Sequence, residues 1–335
     1  MSKSVGNVID PQAVINGTKV TDGKVKQPAY GVDVMRWWAA QSGLDAQMRK
    51  NFRYLMGNLA DFDVETDRVP YDNLLPQDKY MLHQLAQLCS EVTADYESFK
   101  YNHVLHCLET FSNSQISSFY SNITKDRLYC NPAEHPLRRA CQTVQYELLS
   151  AMTCFLAPIL PHLAEEVFQH PPFLPVENSI FKTSWYEADA QWSDAEVEAV
   201  ISSAFCVRDR FNNLITTESP VQFHVIISAK PRLFEHLRVL QPELTSSSSA
   251  LCEILQSSYV TLLSRLPVAV PDEANVVDGL CVHKDSDGSE VKDAFSLVVI
   301  PSEDYPCDRC RLHTARRRRE LCERCSELML DGWEK

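Results

Sequence analysis

Residues 138–155 read RRACQTVQYELLSAMTCF, and the spacing of their apolar members decides the local fold. Cys141, Val144, Leu148, Met152 and Phe155 recur at steps of three and four, one face of a helix. The same spacing runs through Leu85, Leu88, Val92, Tyr96 and Phe99, then through Val104, Leu108 and Phe111. Downstream the chain turns through APILPH, where Pro161 suits the first position of a short helix carrying Leu163 and Val167. Ser193-Asp-Ala-Glu196 has the form of a capping box, opening a helix with Val197, Val200, Ala204, Phe211 and Leu214. Residues 50–215 therefore read as an antiparallel helical bundle.

Past Pro220 the period changes. VQFHVII alternates Val221, Phe223, Val225 and Ile227, which is strand spacing, and FSLVVI repeats it with Phe295, Leu297 and Val299. Helical stretches near 231–240 and 248–256 lie between, so a small α/β unit is expected, with TSSSSA as a helix cap. Residues 1–30 are loop-like, with turns at VIDPQ and INGTK. No internal repeat is visible.

Composition narrows the class. The 335 residues are 44% apolar, enough for a core divided over two or three domains. No apolar run reaches about 18 residues, so no membrane partner is expected, and the start lacks a basic-then-apolar signal sequence. Cys89, Cys107, Cys130, Cys141, Cys154, Cys206, Cys252 and Cys281 are scattered singly, as reduced thiols of an intracellular protein are. The triplets at Asn16 and Asn122 read as chance matches to a glycosylation signal. A net charge of −13 argues against indiscriminate coating of nucleic acid, and no DNA partner is expected. A local basic patch remains effective, because charges are screened over only about 8 Å at physiological salt.

One such patch exists. Residues 307–325 read CDRCRLHTARRRRELCERC, a C-x2-C-x11-C-x2-C pattern. Two knuckles of this form suit four thiolates around one structural Zn²⁺, with Cys307, Cys310, Cys322 and Cys325 as ligands; two redox pairs, a coincidence of spacing, or His313 as a substitute ligand are the alternatives. Between the knuckles lie Arg316, Arg317, Arg318 and Arg319; with Arg309 and Arg311 they make six arginines in residues 307–319 against one acid, Asp308. Guanidinium groups donate paired hydrogen bonds to phosphate, so an RNA contact competes here with a merely solvated loop.

The opening MSKSVGNVIDPQAVING resembles the KMSKS signature of class I aminoacyl-tRNA synthetases, short of its first lysine. YGVDVMRWWAAQSG is similar to the segment that follows it in the isoleucine, valine and leucine subgroup. NFRYLMGNLADFD, ISSFYSNITKDRLYC, RRACQTVQYELLSAM and LAPILPHLAEEVFQH resemble the helical anticodon-binding domain of isoleucyl-tRNA synthetases. The four-cysteine ribbon resembles that of the bacterial and mitochondrial isoleucine enzymes and is generally missing from the valine and leucine relatives.

The resemblance implies a layout: residues 1–45 from a catalytic domain, 46–215 an anticodon-binding domain, 216–303 a small α/β domain and 304–335 a zinc ribbon. It implies that isoleucine and ATP, with Mg²⁺, form isoleucyl-adenylate, whose acyl group passes to tRNA-Ile. Lys3 would stabilise the adenylation transition state as a catalytic group, and Ser2, Lys3 and Ser4 would form the ATP-binding loop. Lys125, Arg127, Arg138, Arg139 and Arg316 to Arg319 are the candidate tRNA contacts; Trp37 and Trp38 fit core packing better than base stacking. A monomer in the mitochondrial matrix is implied.

The departures matter equally. The nucleotide-binding sheet, the HIGH-type signature and the editing domain of the family would lie upstream of Met1, so this chain alone is expected not to activate isoleucine. A non-catalytic tRNA- or protein-binding module is the alternative. The passage from Ser42 to Met48 looks shortened, and Arg311 stands where family ribbons usually carry an aromatic residue.

Overall fold

The computed structural model describes residues 11–19, 25–27, 29–34, 45–170, 172, 179–215, 218–265, 274–284 and 290–330. Ser2, Lys3, Ser4, Trp37 and Trp38, and residues 42–44 of the junction, lie outside them. The described chain is mostly helical with a small mixed sheet, and it packs as two compact units. One unit takes residues up to Asp67 with Leu85–Phe119 and Gln142–Asp189; the other takes Arg68–Gln84, Tyr120–Cys141 and the chain from Ala190.

The first unit begins with α1 (Pro11–Asn16), the antiparallel pair β1 (Thr18–Lys19) and β2 (Val25–Gln27), and α2 (Asp45–Asn58). It takes most of α3 (Pro76–Glu97), all of α4 (Tyr101–Phe111) and, further along, most of α6 (Pro136–Leu156) with α7 (Pro161–Phe168). Leu85, Leu88 and Val92 of α3, Val104, Leu108 and Phe111 of α4, and Val144, Leu148, Met152 and Phe155 of α6 are all buried, as their spacing requires. Each such burial is worth roughly 1.5–3 kcal/mol. Phe99 breaks the pattern: α3 ends two residues before it, and Phe99 is left-handed (φ 58°) and 76% exposed. Residues Ser112–Tyr120 continue α4 as a π-helix, which no spacing in the sequence foretells. Polar ties complete the unit. Tyr96 donates to the Phe155 carbonyl at 2.6 Å, and Trp185 donates to Thr93 Oγ1 at 2.9 Å. Pro161 does head α7, and Asp33, distant in sequence, accepts from Leu163 N at 2.9 Å in place of a local cap.

The second unit holds α5 (Lys125–Cys130), α8 (Ala195–Leu214), α9 (Pro231–Leu240) and α10 (Ala250–Leu255). Its sheet runs β4 (Thr245–Ser246), β5 (Tyr259–Leu263), β3 (Phe223–Ala229), β7 (Glu290–Pro301), β6 (Asn275–Lys284); only β3 and β5 pair in parallel. β3 starts two residues later than its alternation suggests, because Pro220–Gln222 wind into a 3₁₀ turn. The cap of α8 is Asp194, one residue past the expected Ser193: its Oδ1 accepts from Glu196 N and Val197 N, both at 3.0 Å. A carboxylate is the stronger acceptor beside the positive end of a helix. Ser249 caps α10 as TSSSSA implies, accepting from Cys252 N at 3.1 Å. The C-terminal segment adds β8 (Tyr305–Pro306), its antiparallel partner β9 (His313–Ala315) and α11 (Glu323–Leu330).

All twelve cysteines are free thiols, and seven of the eight scattered ones are buried, Cys206 being half-buried. No described helix is long and apolar enough to cross a membrane.

Candidate metal centre and nucleic-acid interface

Cys307, Cys310, Cys322 and Cys325 come together, with all four sulfurs within 4.8 Å of one another. Cys310 Sγ and Cys322 Sγ are 3.9 Å apart. Four thiolates placed tetrahedrally at about 2.3 Å from one ion sit about 3.8 Å apart, so the sulfur cage has the size Zn²⁺ needs. Backbone N–H groups face it: Cys322 N donates to Cys307 Sγ at 3.3 Å. Burial pushes the Cys307 thiol up, but hydrogen bonds from the backbone at Cys322, Cys310 and Arg309 outweigh it and bring it down to about 7. Its neighbours go the other way: the Cys325 hydrogen bond and burial push the Cys310 thiol up, and burial pushes Cys322 up. These residues fit a structural metal site with no open position. His313 is not in the cluster; its Nδ1 faces the Asp304 carbonyl at 3.2 Å and its backbone N donates to Ser258 Oγ at 2.7 Å.

Little else holds this segment internally. Its buried cluster consists of Cys307, Ala315, Cys322 and Cys325, with Cys310 and Leu321 against it. Externally it is clamped to α5. Arg324 binds Asp126 through both guanidinium ends at 2.6 Å, and Arg309 donates to the Cys130 carbonyl at 3.1 Å. Burial works against the Arg324 charge, but the Asp126 carboxylate more than restores it, so the guanidinium stays protonated. The clamp has no sequence signal, since Arg324 sits inside a knuckle and Asp126 is far away in the chain.

Of the expected RNA contacts, Arg316 to Arg319 are all exposed. Arg317 reaches Glu320 at 3.7 Å, and Arg318 lies over the Tyr305 ring at 5.4 Å. Arg311 and Arg319 are left-handed, at φ 66° and 61°. The Arg311 side chain is 75% exposed, with Nη1 3.9 Å from Asp308 Oδ1. Lys125 is exposed and donates to Asn122 Oδ1 at 2.8 Å; Arg138 is half-buried.

Two expectations are corrected. Arg127 is 1% exposed and binds Asp78 at 2.8 and 2.9 Å, with its Nε 3.2 Å from Glu253. It is an internal ion pair and no surface contact, because the Asp78 and Glu253 carboxylates fill its fork and no face is left for phosphate. Tyr120 donates to Asp78 at 2.7 Å, and Gln77 donates to Glu253 at 2.7 Å. Burial raises the Glu253 carboxyl to about 7, with Arg127 opposing the rise. Arg139 is 7% exposed and faces Glu134 at 3.5 Å, so it too is withdrawn from the surface set. Neither burial follows from the apolar stripes: the α6 stripe extended backwards from Cys141 reaches Arg138 and Leu137, and α5 is too short to show one.

Residues 78–221 match the family profile described as the anticodon-binding domain of tRNA ligases. The chain is 37% identical to the mitochondrial isoleucine–tRNA ligase of Gallus gallus and 36% to that of Mus musculus, each alignment covering 98% of this chain and 34% of the relative. It is 34% identical to the isoleucine–tRNA ligase of Gloeobacter violaceus, over 92% of this chain and 33% of that protein. The chain thus spans about a third of the length of these relatives. A solved leucyl-tRNA synthetase–tRNA complex from Agrobacterium radiobacter K84 overlaps 58% of this chain and 23% of its own, at 18% identity and a TM-score of 0.40, too partial to add to the assignment. With isoleucine enzymes aligned along nearly its whole length and a tRNA-ligase anticodon-binding domain at its centre, the chain belongs to the isoleucine–tRNA ligase family.

Proposed function

We propose that this chain is the tRNA-gripping portion of an isoleucine–tRNA ligase, acting in the ATP- and Mg²⁺-dependent transfer of isoleucine to tRNA-Ile. The observation that carries the reading is the alignment with such ligases over 98% of the chain. Residues 1–45 supply the end of a catalytic domain, 46–215 the anticodon-binding helices, 216–303 an α/β domain and 304–335 a zinc ribbon. Cys307, Cys310, Cys322 and Cys325 would hold Zn²⁺, which as a closed site supplies folding energy and no hydrolytic chemistry. Lys3, flanked by Ser2 and Ser4, would meet the ATP phosphates as charge develops on pyrophosphate. Lys125, Arg138 and the Arg316 to Arg319 run are the contacts we assign to RNA phosphate. The protein works as a monomer, in the mitochondrial matrix, as the similarity to mitochondrial enzymes suggests.

The test is filter binding of tRNA-Ile to the chain over a salt series, with a non-cognate tRNA as competitor. Binding of tRNA-Ile at low salt that weakens steeply with added salt is expected. Failure to bind tRNA-Ile at low salt, or equal affinity for the competitor, would overturn the reading.

A further inference from the structure

Helices α3 and α4 carry a second group of metal-ligating side chains, unrelated to the ribbon. Glu91 and Asp95 are four residues apart on α3, and His103 and Cys107 are four apart on α4, so each pair projects from one helix face. The chain reverses between them at residues 98–100, with Lys100 N bonding back to the Asp95 carbonyl at 2.8 Å. That reversal sets Asp95 against His103 and Glu91 against Cys107. One carboxylate oxygen from each acid, a His103 ring nitrogen and the Cys107 sulfur all lie within 4.8 Å of one another.

His103 Nδ1 faces both Asp95 Oδ2 and Cys107 Sγ, the latter at 3.7 Å. Asp95 and Cys107 are 6% and 9% exposed, whereas Glu91 and His103 are exposed and leave an entry path. A thiolate with an imidazole selects a borderline-soft ion over Mg²⁺ or Ca²⁺, and two carboxylates complete four-coordination. Two carboxylates and a thiolate carry three negative charges against two on the ion, and Lys100 Nζ, 3.8 Å from Asp95, offsets part of the remainder.

We propose that Glu91, Asp95, His103 and Cys107 form a second, solvent-accessible Zn²⁺ site on the α3–α4 hairpin. On loading, the Cys107 proton leaves to solvent, and the imidazole carries its own proton on Nε2 so that the Nδ1 lone pair meets the ion. Such a clip ties the two helices together next to their reversal.

The test uses the full chain, stripped by chelator and reloaded with Zn²⁺ or, for spectroscopy, Co²⁺. The H103A/C107A double variant is expected to hold one metal ion fewer than the unaltered protein, and to lose the absorption bands of a tetrahedral Co²⁺ bearing a single thiolate. The count is read as a difference, so it stands whether or not the ribbon cysteines are loaded. Equal metal content and identical Co²⁺ spectra in a folded double variant would overturn the proposal. Should that variant misfold, E91Q at the exposed ligand decides: at least about a tenfold rise in the Zn²⁺ Kd of one site is expected, since even outer partners of a metal ligand carry that much. An unchanged Kd would overturn it.

Discussion

Within the second unit, α8 buries Val200, Ile201, Ala204, Val207 and Phe211, whereas the segment 307–325 buries three cysteines and one alanine. The helix is held by apolar surface removed from water, graded and tolerant of small losses. The knuckle segment has almost no such surface and depends on four sulfurs meeting at one point. The comparison teaches that arginine placement differs too. In the helical region Arg127 is built into the interior, while the knuckle segment turns Arg309 and Arg324 onto α5 and carries the Arg316 to Arg319 run outside.

The sharpest way to break this contrast is to disable the sulfur cluster. Chelation, or Cys322→Ser, is expected to abolish hydrogen-exchange protection in 307–325 while the core amides of α8 stay protected. Binding energy for structural zinc in small folds is on the order of 10–16 kcal/mol, so the effect is the largest available. Persistent protection of 307–325 would show that the segment has another source of order.

Next comes Arg127→Ala, which strands Asp78 without its partner in a fully buried position. A loss of about 3–5 kcal/mol in denaturant unfolding is expected. A loss below about 1 kcal/mol, the range of exposed pairs, would mean that Arg127 is solvated after all.

A smaller effect concerns pH. The Glu253 carboxyl lies at about 7 when folded against an ordinary 4.5, so the folded state holds its proton more tightly. Its contribution is fully present below 4.5 and is lost as pH rises through about 7. Glu253→Gln is therefore expected to flatten that decline in melting temperature between about pH 4.5 and about pH 7. An unaltered slope would assign the decline to other groups.

Smallest in stability, and largest in binding, is Arg316 to Arg319 changed together to Ala. Exposed charges contribute within about 0.5 kcal/mol, so folding is expected to hold. The salt dependence of tRNA affinity is expected to become shallower, by up to about 0.9 in log–log slope for each phosphate no longer neutralised. An unchanged slope would place the RNA elsewhere.

Much of the helical architecture is legible because 3.6-residue spacing is local: the Val144–Leu148–Met152 stripe states its own buried face. The cysteine cluster is legible because its four sulfurs come as two closely spaced C-x2-C pairs. The Asp78–Arg127–Glu253 group is not, since its members come from three distant segments and no pairwise rule joins them. Phe99 misleads for a related reason: periodicity cannot announce where a helix stops. The hairpin pairs of α3 and α4 become visible only once the reversal at residues 98–100 supplies their register.

Arg319 occupies a backbone conformation that costs a side-chain-bearing residue about 1–2 kcal/mol of steric strain, which glycine avoids. An engineer seeking a firmer C-terminus would place glycine there and thereby delete one of four adjacent guanidinium groups. Arg311 has the same left-handed geometry without belonging to that run, so glycine at 311 relieves strain while leaving the run whole. The two positions therefore allow backbone strain to be varied apart from the charge of the run.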